Sequence, residues 1–435
     1  MTSAIQRAAT ALAVAGVAGC FGNGGTPPTQ VTPNGSTVDA STTGADASVP
    51  ETGALEAAAD APSGTRDASA ADAPTGIALD AACAGDGASD TFSCTGSLGT
   101  ARVAPGAAVL PNGQVLVAGG WNATNQTLTS AEIYDPTAGT FSPTGSMTDA
   151  HLWAGWTAPW PVVNGSVLAA GGLASTGALL GSAETYSPTT GRFSPTGPLG
   201  TPVIAFDLVT LQAGAVLFIG GYSTVVVAPP TPGWQYTAGT DQTQLYDPTQ
   251  GTFSTTAGPL GEERLFGCNV VLPSGDVVAI GGWQGAPASF EQNIEEYDPG
   301  TGQWSTVGEL GDDVTCSDAA FVLPSGAIFV DGANLLDPST WTTTAVANPI
   351  TTTSTMFVQL AGGDVLAIGG KDASGDVIAA AQRFDATASQ WTTVGSLHQP
   401  RTGGRALLLT SGDVLVVGGS DATGAALATA EVFHP

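Results

Sequence analysis

Few side chains in this sequence are of the types that carry out catalysis. The three histidines are His151, His398 and His434, and none lies in a His-Glu-x-x-His zinc motif. The chain also lacks a Gly-x-Ser-x-Gly nucleophile motif and an Asp-x-Asp-x-Asp-Gly calcium loop. Histidines without further ligands are expected to be packing or solvent-facing residues. We therefore predict no catalytic residue, no metal site and no cofactor, and we classify the chain as a non-enzyme.

Aromatic and guanidinium side chains are better represented, and their chemistry suits binding. Aromatic rings contribute large contact areas at small entropic cost, and arginine forms directed hydrogen bonds. The candidate ligand-binding residues are Trp121, Trp153, Trp156, Trp160, Tyr222, Trp234, Tyr236, Trp283, Arg102, Arg264, Arg401 and Arg405.

The elements that position these residues are seven copies of one repeat. Each copy has a glycine, five mostly apolar residues and a Gly-Gly pair, worn to Gly332-Ala333 in the fifth copy. The spacing centres on about 50 residues. A continuous apolar run such as 115–118 predicts a strand buried on both faces. The glycine pair supplies positive φ and lets backbones approach closely.

A second mark recurs along the copies: a strand that ends in an aromatic-Asp-Pro turn, followed by Phe or Trp, complete in copies one, three and four and worn in the others. The first copy has Tyr134-Asp135-Pro136 and then Phe141, and the fourth has Tyr297-Asp298-Pro299 and then Trp304. Asp and Pro favour the turn, and the aromatic residues are large enough to form a core. We interpret these marks as structural.

The order of glycine pair, tyrosine and second aromatic residue resembles the kelch repeat and the central domain of the galactose oxidase family. This resemblance covers 89–435. It implies an all-β fold, a seven-bladed kelch-type β-propeller. The copper site of those oxidases needs two tyrosines, two histidines and a cysteine beside one tyrosine. The few Tyr and His residues here do not reproduce that set, so the oxidase activity is not implied.

The two ends of the repeat array predict how the ring closes. The seventh copy stops at Pro435 without its last strand, whereas 90–98 matches 139–147 nearly residue for residue. An N-terminal strand is therefore expected to complete the last blade, which removes an exposed sheet edge.

Strand order predicts that the candidate binding residues gather on one face. If strands a to d run outwards from the axis, the b-to-c loops and the d-to-a connections emerge on the same side. Six of the nine tryptophans, the insertion from Tyr222 to Gln244 and four arginines fall there. Two structural alternatives stay open. The arginines could bridge neighbouring blades, and the 153–160 group could fill the axial channel.

The N-terminal segment has the features of an export signal. A short apolar run leads to Val17-Ala18-Gly19-Cys20, which resembles the lipobox of bacterial lipoproteins. We expect 1–19 to be a lipoprotein signal peptide, Cys20 to be lipidated, and 20–88 to be a disordered Ala/Ser/Thr/Pro/Asp-rich tether. Phe21 follows the cysteine, which favours the outer membrane or cell surface. The alternative is an ordinary secretory signal with a chance cysteine.

The four remaining cysteines predict disulfides in an exported protein. We favour Cys83 with Cys94 and Cys268 with Cys316, the alternative being free buried thiols.

Charge and composition restrict the partners. The chain has 37 acidic and nine basic residues, a formal net charge of -28, which disfavours nucleic acid. Membrane contact is expected through the lipid alone, and the chain is expected to be a monomer. We interpret it as a module that binds a protein, peptide or glycan. The alternative is an extracellular hydrolase or oxidase-like enzyme with its site at the axial mouth.

Overall fold

A computed structural model describes residues 88–154, 159–228, 233–284, 289–311, 316, 319–348 and 353–435. These residues form strands, turns and bends without helix, so the predicted all-β class is confirmed. In this part of the chain there is accordingly no helix able to span a bilayer. The predicted signal peptide, nearly all of the tether, Cys20 and Cys83 lie outside the described residues.

Twenty-eight strands form seven four-stranded antiparallel sheets, the blades of a β-propeller. The N-terminal strand is β1 (Thr91–Cys94). Blades 1 to 3 contain β2 (Gly106–Val109), β3 (Val115–Ala118), β4 (Ala131–Asp135), β5 (Thr140–Thr144); β6 (Val162–Val163), β7 (Ser166–Ala170), β8 (Ala183–Ser187), β9 (Arg192–Pro195); and β10 (Asp207–Thr210), β11 (Val216–Ile219), β14 (Thr243–Asp247), β15 (Thr252–Thr255). A hairpin of β12 (Tyr222–Ala228) and β13 (Gly233–Gly239) extends from blade 3.

Blades 4 to 7 repeat this arrangement. Their strands are β16 (Cys268–Val271), β17 (Val277–Ile280), β20 (Asn293–Asp298), β21 (Gln303–Glu309); β22 (Ala320–Val322), β23 (Ile328–Val330), β24 (Asn334–Asp337), β25 (Thr342–Ala345); β26 (Met356–Gln359), β27 (Val365–Ile368), β28 (Ala381–Asp385), β29 (Gln390–Thr393); and β30 (Arg405–Leu408), β31 (Val414–Val417), β32 (Ala430–His434). A short pair, β18 (Trp283–Gln284) and β19 (Ser289–Phe290), extends from blade 4.

The ring closes as predicted. Strand β1 is the outer strand of blade 7 and pairs antiparallel with β32, with Phe92 opposite Phe433. Innermost strands β30 and β2 are also in contact, which joins blade 7 to blade 1. The seven-bladed, N-terminally closed propeller is therefore confirmed.

The repeat marks form the core. All four residues of β3, β11, β17, β27 and β31 are buried, as their apolar runs predict. Ring pairs such as Tyr134 with Phe141, at 4.8 Å between centroids, pack inside the blades. The Tyr134 hydroxyl also hydrogen-bonds Thr95 Oγ1 of the preceding blade at 2.8 Å. Corresponding Thr–Tyr contacts occur at Tyr186 and Tyr246, so these tyrosines join neighbouring blades.

A disulfide joins the inner parts of blades 4 and 5. It links Cys268 to Cys316, whose Cα atoms lie 5.6 Å apart. This is the pairing that the sequence analysis favours. Cys94 is also in a disulfide, and its predicted partner Cys83 lies outside the described residues.

Candidate functional site

The loops between second and third strands share one face with the connections that enter each blade. Isolated β-bridges join the two sets, as at Val103 with Trp121, Ile204 with Tyr222 and Leu265 with Trp283. We call this side the entrance face. In the bridges between the two sets, the residues are apolar or aromatic in blades 1 to 4 and polar in blades 6 and 7, where Thr353 meets Lys371 and Thr402 meets Ser420. One part of the entrance face is therefore apolar and the other part is polar.

The residue after each entering bridge has a left-handed backbone. These residues, with φ between 46° and 65°, are Ala104, Trp153, Ala205, Phe266, Ser354 and Gly403. Bulky residues rarely adopt this conformation, because their side chains crowd the backbone. Strain of this kind costs about 1 to 3 kcal/mol and concentrates at functional sites. Trp153 and Phe266 thus stand out as large aromatic residues at positions that favour glycine.

An apolar cluster covers the entrance face over blades 2 to 4. Its buried members are Leu173, Ile204, Ala205, Tyr222 and Leu265, and its partly exposed members are Leu152, Trp153, Leu179, Phe266 and Trp283. Trp153 also meets Trp121 of blade 1 edge to face, at 5.9 Å between centroids. Partly exposed rings from blades 1, 2 and 4 are therefore held on one continuous surface.

A cavity of about 570 Å³ occupies the axis beside this surface. Innermost strands of all seven blades line it, and so do entrance residues Ala104, Ser354 and Gly403. Asp207 and Arg405 are each the first residue of an innermost strand. Each is paired with the residue before a glycine pair, Asp207 with Ile219 and Arg405 with Val417, so the two side chains lie at the same level along the axis. The cavity thus carries opposite charges on blades 3 and 7.

Both charged groups of the cavity are oriented by protein contacts. Asp207 Oδ2 accepts a hydrogen bond from Asn269 Nδ2 at 2.8 Å. Arg405 Nε donates to the Pro105 carbonyl at 2.8 Å. Burial lowers the pKa of Arg405 to about 10, so its guanidinium stays charged at neutral pH. Among the described residues that line the cavity, Asp207 is the single carboxylate.

Three of the predicted ligand-face arginines are instead internal structural residues. Arg102, Arg264 and Arg401 are at most 2% exposed, and each forms an ion pair with a glutamate on the third strand of its own blade. Their placement as ligand residues was wrong, because the guanidinium turns inward to a glycine carbonyl and a buried carboxylate. The sequence left open that these arginines bridge neighbouring blades. Each ion pair instead joins the connection that enters a blade to the third strand of the same blade.

The aromatic candidates divide into three groups. Trp121, Trp153 and Trp283 are partly exposed. Tyr222 and Trp160 are 2% and 4% exposed, which corrects their assignment to an open surface. Tyr222 packs in the apolar cluster, and burial raises the pKa of its hydroxyl. Trp160 lines the cavity, covers Gly106 and donates from Nε1 to the Ala154 carbonyl at 2.8 Å, so it fills part of the channel.

For three of the remaining aromatic candidates, the structure gives no side-chain contacts. Trp156 lies outside the described residues, and Trp234 and Tyr236 belong to β13, whose side chains there are not described. Sequence reasoning missed Phe266, Asp207 and Asn269. The available signal was repeat position, since Phe266 aligns with Trp153, and Asp207 opens the first strand of its blade as Arg405 does.

Comparisons with known proteins agree with this architecture. The kelch motif family profile matches residues 102–148 and 264–311, which contain blades 1 and 4. Kelch-like protein 23 of Mus musculus is 37% identical over 68 residues, which are 16% of this chain and 12% of that protein. Its Homo sapiens counterpart is 35% identical over the same length. The chain thus spans only about an eighth of the length of these curated relatives.

The fold and its repeats define a seven-bladed β-propeller that carries kelch motifs. Kelch propellers are a common protein-interaction module.

Proposed function

We propose that this protein is an exported, lipid-anchored binding protein whose propeller holds a protein, peptide or glycan on the entrance face. The observation that carries the proposal is the pair of aromatic residues, Trp153 and Phe266, on left-handed backbone against the apolar cluster of the entrance face. A large ring at a backbone position that favours glycine supports a role in contact with a ligand.

Surface chemistry supports binding over catalysis. Partly exposed Trp121, Trp153 and Trp283 offer broad apolar contact, and the polar part over blades 6 and 7 offers hydrogen-bonding groups. Hydrolysis of a glycosidic bond generally uses two carboxyl groups, whereas the described lining of the cavity contributes one. A partner that spans the rim would meet aromatic rings on one side and polar groups on the other.

The anchor is a separate part of the proposal. The sequence Val17-Ala18-Gly19-Cys20 supports lipid attachment at Cys20. A tether of about 60 residues with coil-like dimensions has a mean reach on the order of 40 Å, enough to present the propeller beyond the lipid headgroups.

The test compares Trp283→Ala with Trp304→Ala in the full mature chain. Both tryptophans are partly exposed. Trp283 lies on the entrance face, whereas Trp304 packs on Tyr297 of blade 4 at 5.2 Å between ring centroids and donates from Nε1 to Thr243 Oγ1 of blade 3 at 3.1 Å. Binding is measured on a peptide display library and a glycan array, and stability by thermal melting. We expect Trp283→Ala to weaken binding of the strongest ligand by about 30-fold, the loss of one binding hot spot, with a smaller drop in melting temperature than Trp304→Ala.

Trp304→Ala should behave oppositely and melt early. Normal binding by Trp283→Ala would contradict the proposal, as would chemical conversion of the recovered ligand, which would favour the enzyme reading instead.

A further inference from the structure

Three blades share a buried cation and carboxylate at one repeat position. The pairs are Arg102 with Glu132, Arg264 with Glu295 and Arg401 with Glu431, at N···O distances of 2.9, 3.0 and 2.8 Å. Blade 3 has Val203 eleven residues before Gly214, in the arginine position, and there Gln244 replaces the glutamate. A buried carboxylate needs a compensating cation. Blade 3 therefore lacks both the buried cation and the buried carboxylate.

Blade 2 departs from this pattern because it keeps the carboxylate but has no arginine. His151 occupies the arginine position and is 2% exposed, as is Glu184. The His151 Nδ1 atom lies 2.8 Å from the Gly171 carbonyl, which can only accept, so Nδ1 carries the proton. Nε2 faces Glu184 Oε1 at 3.8 Å and has no hydrogen-bond partner among the described residues.

The Glu184 carboxylate is held in place by the backbone. The Thr148 and Asp149 amides donate to its Oε1 atom at 2.9 and 3.1 Å, which fixes the carboxylate next to His151. The site therefore has a buried histidine with an open Nε2 where blades 1, 4 and 7 have an arginine hydrogen-bonded to the glutamate.

We propose that Asp149, His151 and Glu184 bind a divalent transition-metal ion of the zinc type. Each residue offers one ligand atom, and these atoms lie within 4.8 Å of one another. A nitrogen donor with two carboxylates suits zinc better than calcium or magnesium, which prefer all-oxygen sites. Asp149 is partly exposed, which gives an ion a route to the two buried ligands.

The surrounding contacts match those of protein metal ligands. Ligating histidines usually donate their other ring N–H to a carbonyl or carboxylate, as His151 does to Gly171. Asp149 Oδ2 accepts from Ser182 Oγ at 2.6 Å, and Glu184 accepts from backbone amides. With metal–ligand bonds of about 2.0 to 2.2 Å, tetrahedral donors lie roughly 3.3 to 3.5 Å apart. The His151–Glu184 gap of 3.8 Å would close by about 0.3 to 0.5 Å on that scale, and a ligand-atom separation at the 4.8 Å limit would close by about 1.3 to 1.5 Å.

The ion would hold the entering connection of blade 2, as arginine does elsewhere. Trp153 lies two residues after His151 on that connection. The site therefore goes beyond the proposed binding function, although it would fix the segment that presents Trp153.

The test measures zinc binding by the full mature chain after chelation and dialysis. We expect one tightly bound zinc per chain by elemental analysis. At a hundredfold excess over Kd, zinc should raise the melting temperature by about 2 to 5 °C. Glu184→Gln should weaken zinc binding at least tenfold.

His151→Arg is the decisive variant, because it restores the residue of the other three pairs. It should abolish the zinc effect. Residue 151 has a left-handed φ of 44°, which Arg102, Arg264 and Arg401 do not share, so the melting temperature of His151→Arg is compared with that of the zinc-free parent to measure the cost of that backbone difference. His398→Gln, which removes a histidine beside Glu431 in blade 7, should leave zinc binding unchanged and controls for weak binding by an acidic chain. Equal zinc affinity of His151→Arg and the parent would overturn the proposal. So would a parent that neither retains zinc after dialysis nor melts later in its presence.

Discussion

Arg102 Nη2 and Glu132 Oε1 lie 2.9 Å apart, with side chains 0% and 6% exposed. Arg102 also donates to the Gly119 and Ser130 carbonyls, and Glu132 accepts from the Gly99 and Thr100 amides. The pair thus joins the connection from the preceding blade to the glycine pair and third strand of blade 1.

We expect Arg102→Met to cost about 3 to 5 kcal/mol, because it leaves a buried carboxylate without its cation. The double variant Arg102→Met with Glu132→Gln should recover much of that loss, since blade 3 naturally combines Val203 with Gln244. Denaturant unfolding of the parent, both single variants and the double variant measures the coupling. Additive losses would mean that the two side chains act independently.

The closing strand should decide whether the propeller forms. A chain that starts at Gly96 loses β1, its pairing with β32 and the Phe92–Phe433 contact at 5.0 Å. We expect it to melt well below a chain that starts at Asp86, because blade 7 would then end in an unpaired edge. Asp90→Asn in the longer chain is the matched control, since it removes only the partly exposed contact with Arg383. Equal melting of the two truncations would contradict the closure.

Trp160 and Gly106 provide a test of the filled channel. A Cβ at residue 106 would overlap the Trp160 indole ring. We expect Gly106→Ala to cost about 1 to 3 kcal/mol through overpacking. In a Trp160→Leu background the same change should cost much less, as a double-mutant cycle from unfolding curves would show. A similar cost in both backgrounds would place the strain elsewhere.

The fold could be predicted from sequence because every blade carries recognisable parts of the same repeat. Glycine pairs, apolar runs and Tyr–Phe marks must recur wherever the same strands pack. The arginines could not be placed in this way. Sequence fixes their distance from the glycine pair, but whether a guanidinium turns outward or inward depends on partners such as Glu132, about 30 residues away. The metal-site hypothesis was missed for the same reason, because His151 and Glu184 are distant in sequence and meet only in the folded blade.

The anchor prediction concerns a segment outside the described residues. Cys20→Ser should remove the proposed site of lipid attachment and release the protein from the membrane fraction, because acyl chains contribute about 0.8 kcal/mol per buried methylene. Phase partitioning in detergent and mass spectrometry of the N-terminus provide the measurement. Ser41→Cys in the Cys20→Ser background controls for the mere presence of a cysteine. Continued detergent-dependent membrane partitioning of Cys20→Ser would mean that another feature holds the chain.

Replacement of an aromatic residue on left-handed backbone of the entrance face should lower the binding affinity without lowering the stability of the propeller. Trp153 has a φ of 59°, and the corresponding residue of blade 7 is Gly403 with a φ of 65°. Trp153→Gly relieves strain of about 1 to 3 kcal/mol. It also removes ring contacts with Trp121 and the apolar cluster, each on the order of 1 kcal/mol.

These two effects on stability oppose each other, so the melting temperature of Trp153→Gly should stay close to that of the parent. Binding has no such compensation, because the ring itself is lost, and a loss of about 30-fold in affinity is expected for one hot spot. Ala104→Gly, at the same position of blade 1, removes no ring and is the matched control for the backbone change. A variant Trp153→Gly that melts much earlier than the parent and binds normally would show that the ring is retained for packing, and the binding surface would then have to lie elsewhere on the propeller.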